Sequence, residues 1–212
     1  MHETFADRID AAHRLATALR ALNVASPIVL GIPRGGVVLS AIVAQDLGID
    51  QGVVIARKLR APRQPELAIG AVTPDGALCL DEALARASGV DERYVAEEKT
   101  YQIAEARRRE RIFGHFAHPK LADRTAIVID DGLATGATAV AALRSMRNRQ
   151  PSRLIFAVPV GSPYAVDLLQ PEADDILCLI IDANFHSVGQ YYEDFRPVTD
   201  AEVLGLLGLT TG

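Results

Sequence analysis

The chain has 212 residues, 49% of them hydrophobic, and a formal net charge of −5. This length suffices for one domain with a full core, and the acidic balance makes nucleic acid an unexpected partner. The two cysteines, Cys79 and Cys178, are far apart in the sequence, which argues against a disulfide scaffold and a zinc site. The first 22 residues support neither a signal peptide nor a membrane span. We therefore expect a cytoplasmic protein without membrane contact.

Strands and helices alternate in the first part of the chain. Apolar residues recur at helical spacing over residues 5–22, which predicts an amphipathic helix with a packing role. A strand at Pro27–Gly31, a tight IPRGG loop and a helix at 37–47 that ends at Gly48 are predicted next. A second core strand is predicted at 52–57.

The middle of the chain departs from this alternation. The stretch RAPRQPE after Leu59 is polar and interrupted by proline, so we expect it to be exposed. Apolar runs at 67–73 and 77–80 flank a Pro-Asp-Gly turn, which predicts a β-hairpin outside the main sheet. A long charged helix is predicted at 91–113, and its arginine-rich end is most simply a solvated face.

Alternation resumes at residue 125. The predicted elements are a strand at 125–131, a helix at 136–148, a strand at 153–159, a helix at Pro163–Leu169 and a strand at Asp175–Ile181. This order predicts an α/β fold with a doubly wound parallel sheet. An aromatic loop and a closing helix capped by Thr199 follow.

Two loops at predicted strand ends carry the chemistry, because ligands of open parallel sheets bind beyond the carboxyl ends of the strands. The sequence VIDDGLATGAT ends a strand in Asp130 and Asp131 and continues into a turn of small and hydroxyl residues. The free N–H groups of this turn and the positive end of the next helix suit a phosphate. Gly136 leaves room for it, and the Thr135 and Thr138 hydroxyls complete the cup.

The two acids narrow the choice of ligand. Carboxylates repel a phosphate unless their partners are hydroxyls or a metal, and a sugar diol next to the phosphate meets both demands. The motif also lacks the Lys-Ser/Thr pair of the Walker loop and the GxGxxG fingerprint. The sequence therefore predicts a ribose 5-phosphate ligand, bound by Asp130, Asp131, Ala134, Thr135, Gly136, Ala137 and Thr138.

This stretch resembles the signature of type I phosphoribosyltransferases, and GIPRGG at 31–36 is similar to the pyrophosphate loop of that family. The resemblance covers residues 28–181. It is closest to a group of predicted phosphoribosyltransferases that shares PELAIGAV, DDGxATGAT and VGxxYxDF. It implies a single domain over 1–212, with its core at 28–181, a β-hairpin insertion, and a hood formed by 182–212 and the N-terminal helix.

The resemblance also implies an activity. This is the Mg²⁺-dependent transfer of the 5-phosphoribosyl group from phosphoribosyl pyrophosphate to a nucleobase or related nitrogen acceptor, with release of pyrophosphate. Asp130 and Asp131 would hold the sugar hydroxyls and, directly or through water, the metal. The pyrophosphate would be bound by Arg34, Gly35, Gly36, Arg57 and Lys58. Arg34, Lys58 and the two acids would form the catalytic set.

The acceptor is indicated less directly. Ala134 stands where enzymes that act on 6-oxopurines carry a further Asp, which argues against a hypoxanthine-guanine enzyme. Phe185, Tyr191 and Tyr192 are candidates to stack on a planar acceptor, although each ring could instead pack the core of the hood. A homodimer is compatible with the sequence. A second class of function also stays open, a regulatory protein that senses phosphoribosyl pyrophosphate without transferring it.

Overall fold

The computed structural model of the chain describes residues 4–62 and 64–209, with only the backbone at positions 65 and 66. The strands within these residues are β1 (Pro27–Gly31), β2 (Asp50–Val53), β3 (Arg57–Ala61), β4 (Gln64–Val72), β5 (Leu78–Leu80), β6 (Thr125–Ile129), β7 (Arg153–Gly161) and β8 (Asp175–Ile181). The helices are α1 (Arg8–Ala21), α2 (Gly35–Leu47), α3 (Glu82–Ala87), α4 (Glu92–Phe113), α5 (Ala137–Arg147), α6 (Pro163–Leu169) and α7 (Asp200–Leu206). Short 3₁₀ turns lie at Gly114–Ala117 and Val188–Tyr191.

Five strands form a parallel sheet in the order β2-β1-β6-β7-β8. The chain winds from β1 to β2 on one side and from β6 through β7 to β8 on the other, so the direction of winding reverses between β1 and β6. The predicted doubly wound sheet is confirmed. Both loops singled out in the sequence follow these two central strands, at the switch point where ligands of such sheets bind.

Alternating side chains of the central strands face the two helical layers. Ile28 and Leu30 of β1 and Val128 of β6 pack in one core with α5 and α6. Val29 and Ile127 pack in the other core with α1 and α2. Burial on both faces explains why these strands are continuous apolar runs.

The second sheet is antiparallel, in the order β3-β4-β5, and it corrects the strand predicted at 52–57. The core strand ends at Val53, and Arg57 instead begins β3, which pairs with β4. The predicted hairpin is β4 and β5, and it lies outside the main sheet as expected. Leu59 of β3 is fully buried because it joins a small core between this sheet and α3 and α4.

The stretch RAPRQPE contributes to both β3 and β4 as well as the turn between them. Arg60, Pro62 and Gln64 are exposed as expected, whereas Ala61 is buried under the small sheet. Arg63 lies outside the described residues. The exposed residues of this stretch therefore belong to regular strands and their turn.

The N-terminal segment divides between the core and the hood. Leu15 and Leu19 of α1 are buried on the main sheet with α2. The preceding Phe5 accepts and donates backbone hydrogen bonds with Glu193 and Tyr191. The segment before α1 and the first turn of α1 therefore join the C-terminal residues, since Ala11 packs with Tyr191 and Tyr192, while the rest of the apolar face of α1 is used on the sheet. Of the hood predicted at 182–212, residues 210–212 lie outside the described part of the chain.

Within the described residues, no helix is both long and apolar enough to cross a membrane.

Candidate functional site

A cavity of about 200 Å³ lies where the chain leaves β6. Its wall is formed by Lys58 of β3, most of the segment from Asp130 to Ala139, and Val188 of the hood. The fold therefore brings the predicted acid pair, the predicted phosphate turn and one predicted pyrophosphate ligand to one place. This convergence depends on the small sheet, which carries Lys58 to the end of β6.

The phosphate turn leads directly into α5. Gly136 is the N-cap, with a left-handed φ of +81°, and no side chain of the described residues caps this end of the helix. The first N–H groups of α5 and its positive dipole end are therefore suited to an anion. Ala134, Thr135 and Thr138 line the cavity with Gly136, whereas Ala137 begins the helix and is not part of the wall.

The two acids at the end of β6 interact with each other. The backbone N–H of Asp131 donates to Asp130 Oδ1 over 2.9 Å. Burial and the adjacent Asp131 carboxylate raise the pKa of Asp130 well above its usual range, and Lys58 opposes this rise only in part. Hydroxyl groups of a ligand that donate to the two carboxylates, or a cation bound to them, would therefore reduce the repulsion between Asp130 and Asp131.

Asp131 also binds a residue that sequence reasoning missed. Arg8 Nε lies 2.8 Å from Asp131 Oδ2, and both side chains are largely buried, at 11% and 17% exposure. Our interpretation gave the N-terminal helix a packing role alone. One signal was available, because Arg8 opens α1 and a cation is unfavourable at the positive end of a helix unless it has a partner elsewhere.

The two glycines of the PRGG loop lie against the acid strand. A Cβ atom at Gly35 would overlap the Asp131 carboxylate, and one at Gly36 would overlap the carbonyl oxygen of Ile129. The start of α2 can therefore approach the end of β6 only because both positions lack side chains. Arg34, which precedes Gly35, is the exposed N-cap of α2 and is not in the wall of the cavity.

Arg57 and Lys58 have different surroundings, as successive residues of a strand should. Lys58 lines the cavity with the acids. Arg57 Nε donates to Gln102 Oε1 of α4 over 2.7 Å, and burial followed by the nearby Arg109 lowers its pKa. The prediction that both residues end a core strand is wrong, because they begin β3 of the small sheet. Of the two, Lys58 is the one that lines the cavity.

Two of the three predicted acceptor rings are inside the hood. Tyr191 and Tyr192 are 1% and 6% exposed, so neither ring offers a face to a ligand. The Tyr192 hydroxyl instead donates to the backbone carbonyl of Asp131 over 2.7 Å. Phe185 is half-buried and stacks on Tyr191 with ring centroids 5.5 Å apart. Phe185 is thus the one predicted acceptor ring with an accessible surface.

Residues 4–196 match the family described as phosphoribosyl transferase domain. The chain belongs to the phosphoribosyltransferase family. This is a family of transferases, and the match includes both loops and the segment that carries Arg8.

Named relatives of this phosphoribosyltransferase domain include two curated proteins of Mycobacterium tuberculosis, provisionally named as phosphoribosyl transferases. Each is 38% identical over 205 residues. The match covers 96% of this chain and 46% of each relative. The phosphoribosyltransferase chain thus spans about half the length of the curated relatives it matches.

Two solved structures are similar in fold to this phosphoribosyltransferase chain. TT1426 from Thermus thermophilus is 40% identical, with a TM-score of 0.79 over 96% of this chain and 97% of that one. A hypothetical protein from Neisseria gonorrhoeae, solved with bound ppGpp, is 12% identical and has a TM-score of 0.53. It covers 87% of this chain and 88% of its own. This second likeness concerns the fold alone.

Proposed function

We propose that this phosphoribosyltransferase chain transfers the 5-phosphoribosyl group of phosphoribosyl pyrophosphate to a nitrogen acceptor and releases pyrophosphate. One observation carries the proposal. The acid pair, the uncapped start of α5 and Lys58 converge on one cavity at the switch point of the sheet. These are separate donors and acceptors for a sugar diol, its 5-phosphate and a leaving anion.

The 5-phosphate would bind in the turn before α5. Its oxygens would accept from the backbone N–H groups at the start of the helix and from the Thr135 and Thr138 hydroxyls. The vicinal hydroxyls of the ribose would then lie over Asp130 and Asp131 and donate to the carboxylates. The acids and the turn follow β6 in one short segment. A pentose phosphate, which carries a diol and a phosphate on one small molecule, can therefore contact both.

Magnesium fits this donor set. Among the described residues, no group of three or more His, Cys, Asp or Glu side chains could hold a metal by itself. Mg²⁺ keeps several water ligands and binds through one or two carboxylates plus substrate phosphates, so Asp130 and Asp131 suffice, directly or through water. When bound, Mg²⁺ neutralises charge on the pyrophosphate.

During transfer, the bond between the sugar C1 and the pyrophosphate oxygen breaks, and pyrophosphate leaves with the bonding electrons. Positive charge grows on the ring next to Asp130 and Asp131, which stabilise it. Negative charge grows on the leaving group, near Lys58, Arg34 and the amides of Gly35 and Gly36. The acceptor nitrogen forms the new bond to C1 and loses its proton to the solvent.

The acceptor would be a planar nitrogen compound such as a nucleobase. Of the rings proposed to stack on it, Phe185 is the accessible one. Ala134 in the wall of the cavity supplies no carboxylate to accept a hydrogen bond from a ring N–H of hypoxanthine or guanine. We infer that the protein works in the cytoplasm, where phosphoribosyl donors are available. That it forms a homodimer is a separate hypothesis.

Pyrophosphate release tests the proposal directly. The purified chain is incubated with Mg²⁺ and phosphoribosyl pyrophosphate, with and without pools of purines, pyrimidines and other nitrogen acceptors. Release that depends on one pool supports transfer and identifies the acceptor class. A variant with both Asp130→Asn and Asp131→Asn should be inactive. Tight binding of the donor without release from any pool would favour the sensor, and the absence of binding would reject both functions.

A further inference from the structure

Arg8 joins three parts of the chain that are distant in sequence. Its Nε donates to Asp131 Oδ2 over 2.8 Å, and its NH1 donates to the carbonyl oxygen of Arg196 over 2.9 Å. Its guanidinium carbon lies 3.9 Å from the centre of the Phe195 ring. One guanidinium thus connects the start of α1 and the end of the hood to the acid pair.

These contacts fix one side of the Asp131 carboxylate. Oδ2 is bound by Arg8, and the backbone of Gly35 lies so close to it that a methyl group would not fit. The Asp131 carbonyl is held in addition by the Tyr192 hydroxyl. A planar guanidinium donates in a rigid direction, so the carboxylate has little freedom to rotate. Oδ1 is then the oxygen left for a ligand in the cavity.

Arg14, a second arginine of α1, serves as a comparison for Arg8. It pairs with Asp10, four residues earlier on α1, and its guanidinium lies 5.1 Å from the centre of the Phe5 ring. The contacts described for Arg14 thus lie within α1 and on the Phe5 ring. Arg8 differs because its partner is 123 residues away and is one of the two acids of the cavity.

We propose that Arg8 is a positioning residue that orients Asp131 for the sugar diol and thereby connects the hood to the ribose half of the site. This inference rests on the proposed function, since it assigns the diol to Asp131. It predicts selectivity among ligands. Loss of Arg8 should weaken ligands that carry the sugar and spare pyrophosphate, which binds at Lys58 and the PRGG loop.

The test measures the binding of phosphoribosyl pyrophosphate, ribose 5-phosphate and pyrophosphate, each with Mg²⁺, by titration calorimetry. Arg8→Met replaces the unbranched stem of the side chain with one of similar shape and removes the guanidinium donors. We expect it to raise the Kd of the two sugar ligands by about tenfold to a hundredfold, the usual effect of losing a charge-assisted contact. The Kd of pyrophosphate should change by less than about twofold. Arg14→Met, the matched control, should leave all three affinities unchanged.

A double-mutant cycle with Asp131→Asn tests whether Arg8 acts through that acid. In the Asp131→Asn background, Arg8→Met should cause little further loss, because its partner no longer needs to be oriented. Arg8→Lys should recover part of the affinity of the wild type. Equal losses in both backgrounds would overturn the proposal.

The remaining outcomes separate this inference from the proposed function. If the wild type binds none of the three ligands, the proposed function fails, and the inference fails with it. If the wild type binds them and Arg8→Met binds the sugar ligands equally well or more tightly, only the role of Arg8 is refuted. A uniform loss of all three ligands with a lower Tm would make Arg8 a structural residue and also refute the inference.

Discussion

The carboxylate of Asp131 lies against the backbone of Gly35, so closely that a Cβ atom at position 35 would overlap it. This contact joins the two loops of the switch point, since Gly35 begins α2 and Asp131 follows β6. The glycine pair of the PRGG loop therefore has a second role besides presenting N–H groups to an anion. It lets the start of a helix approach the acid pair.

Gly35→Ala should damage the site. The methyl group must displace the Asp131 carboxylate or the start of α2, and overpacking of this kind costs about 1–3 kcal/mol. We expect the free energy of unfolding to fall by that amount and the affinity for phosphoribosyl pyrophosphate to fall by about tenfold or more. Calorimetry and urea unfolding measure the two effects.

Gly205→Ala is the matched control, because a Cβ atom at this position of α7 meets nothing within 4 Å. It should leave the affinity unchanged and stabilise the fold slightly, as replacement of a helical glycine usually does. Wild-type affinity in Gly35→Ala would show that the acid pair tolerates displacement.

Lys58→Met should weaken pyrophosphate binding, whereas Arg57→Met should not. Lys58 lines the cavity, and the loss of one charge-assisted contact is worth about 1.5–3 kcal/mol, or about tenfold or more in Kd. Arg57 is bound to Gln102 on α4, so its loss should lower stability without a change in affinity. Isothermal titration with pyrophosphate compares the two variants. The reverse ranking would place the leaving group on the other face of β3.

Asp130→Asn should change how stability depends on pH. Because burial and Asp131 raise the pKa of Asp130 in the folded state, the folded chain holds a proton that the unfolded chain has released, and stability falls as pH rises through this interval. The variant lacks this loss. The Tm of the variant minus the Tm of the wild type should therefore increase as pH rises above the ordinary pKa of Asp, about 3.9. A series of thermal melts between acidic and neutral pH measures the gain.

Asp75→Asn provides a control of opposite sign. Burial opposes ionisation of Asp75, but hydrogen bonds from Thr73 and Ser145 outweigh it and lower the pKa. Asp75 therefore contributes stability above the ordinary Asp range that is lost as pH falls through its lowered pKa. The Tm of Asp75→Asn should lie below that of the wild type at neutral pH and approach it in acid. Parallel pH profiles for both variants would contradict these assignments.

Thr135→Val should weaken the binding of the 5-phosphate. Thr135 lines the cavity in the turn before α5, and valine keeps its shape without the hydroxyl. The expected loss is about 1–3 kcal/mol of binding free energy, measured with ribose 5-phosphate. Thr100→Val removes a hydroxyl that bonds the Ala96 carbonyl on the surface of α4, so it should have no effect on affinity. Equal affinities of the wild type and both variants for ribose 5-phosphate would show that the phosphate does not bind in this turn.

The sequence determined the frame of the main sheet and the chemistry of one loop. Continuous apolar runs such as Ile28 to Leu30 predict buried parallel strands. The bounds of β1 and β8 are as predicted, whereas β6 ends at Ile129 and leaves both acids in the loop after it. The VIDDGLATGAT segment holds its two acids and its helix start within a few residues. Local spacing therefore suffices to predict that they face one ligand, and one continuous segment does line the cavity.

Only the tertiary structure decided which distant residues meet that segment. The chain leaves the main sheet after Val53 because Leu59 has a separate core to fill with α3 and α4, and this turns Lys58 rather than Arg57 toward the acids. The Tyr191 and Tyr192 rings are buried by contacts with the N-terminal segment, which local sequence does not encode. The Arg8–Asp131 pair spans 123 residues. Such contacts follow from how the hood packs on the sheet, and a periodic pattern in one segment carries no information about its partner in another.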